Sequence, residues 1–149
     1  MTVLPDIPEL QMIGVLDRGQ ANKERIVLKP KMALDIGNYA VLVGLRTPTA
    51  NFIMPLRDHL FWFGSGLVYP SDWLFLYTGH GVPSRLPYEP ESGHLLTIYW
   101  GRDETVFHDP QVVPAIVKFS NILIEQRPQP QPQPPQTVPF LGALEALKK

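Results

Sequence analysis

Between residues 10 and 127, turn signals recur every 8–12 positions. Asp17-Arg18-Gly19-Gln20, Asp35-Ile36-Gly37, Gly64-Ser65-Gly66, Pro70-Ser71 and Gly79-His80-Gly81 each border an apolar run. Punctuation at that interval holds the intervening segments to strand length. The expected fold is all-β, an antiparallel β-sandwich or a partly closed barrel. Residues 10–126 are assigned to this globular domain, with an N-terminal arm at 1–9.

The strands are expected at Leu10–Leu16, at Glu24–Lys29 before Pro30, and at Asn38–Leu45. The last is β-branched in its middle and suits a central position. Shorter strands are expected at Phe52–Met54, His59–Phe63 and Leu67–Tyr69. Asp72–Thr78 alternates most clearly, with Trp73, Phe75 and Tyr77 on one face and Leu74 and Leu76 on the other. The run to Glu91 contains Pro83, Pro87 and Pro90 and reads as a long loop. His94–Trp100 alternates again, and residues 101–104 read as a hairpin turn into Thr105-Val106-Phe107. Over 112–125 the apolar spacing allows a helical stripe. Pro114 and six Val or Ile residues favour a strand or a bent strand pair.

Residues 127–137 form a Pro/Gln-rich linker, with five prolines between Arg127 and Gln136. Fixed φ and missing N–H donors make such a run extended, spanning roughly 30 Å. In 138–149, Phe140, Leu144 and Leu147 recur at helical spacing with Leu141 beside them. This predicts a short amphipathic helix on a tether, docking through Phe140, Leu141, Leu144 and Leu147 on a protein partner or a neighbouring subunit.

Thirteen Lys and Arg against fourteen Asp and Glu give a net charge of -1. That balance disfavours binding by bulk phosphate neutralisation, and nucleic acid is not an expected partner. The local basic stretch Arg18, Lys23, Arg25, Lys29, Lys31 reads as an edge strand protected by lysine, because the aromatic residues lie in apolar runs elsewhere. The absence of cysteine excludes disulfides, thiolate metal sites and cysteine nucleophiles. No apolar run reaches the roughly 20 residues of a spanning helix, and the start lacks the pattern of a signal peptide. A soluble protein is expected, cytoplasmic or part of a larger assembly.

The four histidines, His59, His80, His94 and His108, show no His-x-x-x-His or His-Glu-x-x-His spacing. Phosphate-binding glycine loops and the Gly-x-Ser-x-Gly elbow are absent. No metal and no cofactor are expected, the nearest ligand-like group being His108-Asp109 with Asp103 and Glu104. Asp72–Gly81 resembles the strand ending in Ser-Gly-His-Gly of caspase-like and metacaspase-like peptidases. The resemblance covers ten residues and implies that His80 is the counterpart of the catalytic base. Thr78 stands where that family has serine, and a chain without cysteine lacks its nucleophile, so that activity is excluded. Apart from the family, glycines on both sides let the backbone turn sharply and expose the His80 ring. Arg85 and Asp58-His59 are its candidate neighbours.

Two functions follow. The first is a non-catalytic protein-protein interaction or assembly module acting through residues 138–149, of the kind found by analogy among phage or bacterial accessory proteins. The alternative is a small enzyme or ligand-binding protein whose pocket gathers His80, His94 and the carboxylate of Glu91.

Overall fold

The computed structural model describes residues 6–48 and 53–128. They form ten strands: β1 (Leu10–Leu16), β2 (Arg25–Pro30), β3 (Leu34–Asp35), β4 (Tyr39–Arg46), β5 (Ile53–Trp62), β6 (Leu67–Val68), β7 (Trp73–Tyr77), β8 (Ser84–Tyr88), β9 (Gly93–Tyr99) and β10 (Val112–Lys118). Among the described residues there is no α-helix, only 3-10 turns at Ile36–Asn38 and Glu89–Glu91. None of their helical turns is long and apolar enough to cross a membrane.

The strands make a five-stranded sheet in the order β1-β2-β7-β9-β8, a three-stranded sheet β10-β4-β5 and a two-stranded ladder β3-β6. Every pairing is antiparallel except β7 with β9, which is parallel. The antiparallel sandwich or partly closed barrel expected from the sequence is therefore corrected to a mixed, mostly antiparallel β-sheet structure in which no barrel closes. The cause lies in residues 82–91. They were expected to form a loop, yet they cross the end of β9 and lay down β8 as an edge strand. β9 then returns between β7 and β8, parallel to β7. Pro87 is tolerated because an edge strand has one side free of ladder hydrogen bonds.

One core joins the two larger sheets. Ile26, Leu28, Leu74 and Leu76 are fully buried, and they cluster with Tyr39, Val41 and Val43 of β4, with Val112 of β10, and with Val106 and Phe107. Removing a buried leucine side chain from such a cluster costs about 2–5 kcal/mol. The segment 105–107 supplies this core without forming a strand, contrary to the expected hairpin. Residues 112–118 are a strand, as β-branching favoured. Pro114 sits there without penalty because β10 is an edge.

The expected strands 52–54 and 59–63 belong to a single strand, β5, with a large bulge. Leu42 pairs with Leu60 and Gly44 with Pro55, so residues 56–59 oppose Val43 alone. A Cβ at Gly44 would lie 2.4 Å from the Met54 carbonyl oxygen, so only glycine admits β5 this closely. Asp58, in the bulge, takes φ +61°.

On the outer face of the five-stranded sheet, Arg25 lies over Phe75 and Tyr77 at 5.3 and 5.6 Å, and Lys29 lies 4.6 Å from Trp73. Tyr77 stacks on Tyr99 at 5.2 Å, and Tyr99 in turn meets Gly81, where a Cβ would fall 2.3 Å from the ring. β2 is thus an internal strand whose cations lie on aromatic faces, and not a lysine-protected edge. Before β1, Glu9 accepts from Tyr39 Oη and pairs with Lys118 Nζ at 2.7 Å. Those two hydrogen bonds, Lys118 first, hold its carboxyl down at about 2, and burial with the same contact raises the Tyr39 phenol.

Residues 119–128 carry no regular structure. Most of the linker at 127–137 and the whole segment 138–149, with Phe140, Leu141, Leu144 and Leu147, lie outside the described residues. The assembly module built on a docking helix is set aside: the described residues contain no α-helix, and helical spacing over twelve residues does not by itself establish one.

Candidate functional site

Glu24 follows the turn after β1 and is only 1% exposed. Its carboxylate accepts four hydrogen bonds. Oε1 takes the amides of Gly19 (2.8 Å) and Phe107 (2.9 Å), and Oε2 takes the Thr78 hydroxyl and the Val106 amide, both at 2.7 Å. A buried carboxylate is tolerable only when satisfied in this way. The arrangement ties the loop 100–111 to the ends of β2 and β7. Further bonds fix the loop's start, from Trp100 N to Tyr77 O (2.8 Å), Gly101 N to Gly79 O (2.9 Å) and Arg102 N to Thr78 O (2.9 Å). At its far end Arg46 N donates to Gln111 O at 2.9 Å.

This anchored loop and the β5 bulge face each other across a cleft of about 820 Å³. Leu56 and His59 line it from the bulge, and Trp100, Arg102, Glu104 and His108 from the loop. The His59 Nδ1 lies 2.6 Å from Arg57 O. A carbonyl only accepts, so Nδ1 carries a proton, and in the tautomer protonated there alone Nε2 is an acceptor. Trp100 packs at 5.6 Å from Phe61 and edge-on to His59 at 6.3 Å. Arg102 lies 5.3 Å above Trp100 and donates from NH1 to Asp58 O at 2.9 Å. It forms no ion pair among the described residues.

His80 reaches the rim of this cleft. From the connection that crosses β9, its Nε2 meets Asp103 Oδ1 at 2.8 Å, with both side chains largely exposed. The expected neighbours Asp58-His59 do come to this end, joined to the loop through Arg102. Arg85 does not: it sits in β8 opposite Leu96. His94, the second residue of β9, lies at the opposite end of the sheet, roughly 20 Å away along a seven-residue strand. Its amide donates to Asp72 Oδ1 at 2.9 Å, and its Nδ1 is 3.7 Å from the same oxygen. Glu91 ends the 3-10 turn leading into that end. His80 and His94 thus stand at opposite ends of β9, with Glu91 just before the His94 end, so the structure does not bring the three together. Among the described residues no cluster of three or more metal-ligating side chains is disposed to hold an ion.

Sequence reasoning missed Glu24, Trp100 and Arg102. Glu24 looked like one charge in a basic stretch, and nothing local marks its contacts with residues 78 and 106–107. Arg102 was placed in a tight turn, whereas the turn is the first part of a twelve-residue loop. No family model, no curated protein and no solved structure matches the chain.

Proposed function

We propose that this chain is a β-sheet domain that binds a small molecule in the cleft between the β5 bulge and the loop 100–111. The observation that carries this reading is the anchoring of the loop. A polar, solvent-facing wall is held from behind by two amide hydrogen bonds, from Val106 and Phe107, to a buried carboxylate that the Gly19 amide and the Thr78 hydroxyl also hold, and by the buried side chains of Val106 and Phe107. Binding constellations need this rigidity in their supporting residues, because a wall ordered only on binding forfeits affinity. The volume falls within the usual range of small-ligand sites, and the lining mixes an aromatic ring with a few convergent polar groups.

The test is a small-molecule library screened against the full chain with ligand sites mapped by NMR. Hits are expected to shift the Trp100 indole N–H, the His59 ring and the amides of 101–105. Hits that map only to other surfaces, or a library that leaves the cleft unperturbed, contradict the reading.

A further inference from the structure

The geometry points to a small monocarboxylate as the cleft's ligand, held by the Arg102 guanidinium; this rests on the cleft reading above. Among the described residues, Arg102 is the only Arg or Lys lining the cleft. It is fixed twice, by the Trp100 ring beneath it and by the bond from NH1 to Asp58 O, so its orientation is set before any ligand arrives. A guanidinium has five N–H donors, and a single one is spent on the protein. A fixed planar fork with donors to spare matches the two oxygens of a carboxylate.

The neighbouring charges select the class of anion. Asp103 is hydrogen-bonded to His80 at 2.8 Å, while Glu104 on the same lining has no hydrogen-bond or ion-pair partner among the described residues. A second negative charge on the ligand meets that carboxylate, which disfavours a phosphate dianion relative to a singly charged carboxylate. In the tautomer protonated at Nδ1 alone, the Nε2 of His59 can accept from a hydroxyl or amide carried on the same molecule.

The experiment titrates full-length wild type, Arg102→Gln and Arg102→Lys with acetate, benzoate and inorganic phosphate, following the Arg102 Nε–H and Trp100 indole N–H signals. A carboxylate should perturb both signals in wild type, bind at least tenfold more weakly to Arg102→Gln, and be partly restored in Arg102→Lys. His94→Ala, at the other end of the sheet, should bind as wild type does. Phosphate binding more tightly than either carboxylate overturns the proposed class. Neutral library hits in the cleft with no response to any anion, or carboxylate binding indifferent to Arg102→Gln, overturn the role of Arg102 while leaving the cleft reading intact. An unperturbed cleft with every ligand removes both.

Discussion

The two ends of the five-stranded sheet use the same device to different effect. At one end the buried carboxylate of Glu24 collects four donors; at the other, Asp72, also 1% exposed, accepts the amides of Tyr69 and His94 at 2.9 Å each. Asp72 closes a short turn onto the start of β9, and Lys29 covers it by donating to Pro70 O and Asp72 O. Glu24 instead grips the middle of a long loop, leaving the residues before Val106 to stand over open space. An internal carboxylate thus finishes a sheet end in one case and builds a binding wall in the other. What separates them is the length of chain each one holds.

Substitutions at the two carboxylates test that difference with the largest effects. Glu24→Ala orphans two buried amides, a buried hydroxyl and the part-buried Gly19 amide, and should cost about 3–5 kcal/mol in urea unfolding. Asp72→Ala orphans two amides and should cost about 2–3 kcal/mol. Equal losses, or a larger one at Asp72, would break the comparison. Glu9→Gln sharpens it from the Asp72 end, where Glu9 precedes β1. Folding lowers the Glu9 pKa from 4.5 to about 2, so its contribution is complete above 4.5 and is lost as pH falls toward 2. Urea midpoints of the variant should lack the part of the wild-type acid slope that falls in this window. An unchanged slope would show that the Lys118 and Tyr39 contacts do not persist in solution. The smallest effect belongs to His80→Ala: an exposed pair with Asp103 should contribute less than about 0.5 kcal/mol, measured by the same unfolding curves. A loss above 1 kcal/mol would mean that the rim, and not Glu24, holds the loop.

Most strand positions were legible because alternation and β-branching act locally. Leu74 and Leu76 point into the core as their period demands, and β4 is central in its sheet. Strand order was not legible. Proline at 83 and 87 reads as loop in any local window, and only the position of β8 at an edge makes it acceptable. That single misreading concealed the parallel β7–β9 pair and brought His80 and His94 together on paper. Of the residues at or beside the cleft, the sequence singles out His80, through the glycines on both sides of it, and the pair Asp58-His59 as its possible neighbours. Arg25 and Lys29 were misplaced because cross-strand partners, and not chain neighbours, supply the rings they cover. Glu24 was beyond reach, since its meaning depends on residues 54 and 82 positions away.

The claim that the cleft wall is a built structure is tested most directly by native-state amide hydrogen exchange at Val106 and Phe107. If Glu24 holds the loop as described, these two amides exchange as slowly as those of the core strands β2 and β7, although they lie in a segment without regular structure. Exchange as fast as that of the exposed residues 119–128 would show that the loop opens independently of the core, and would contradict the account.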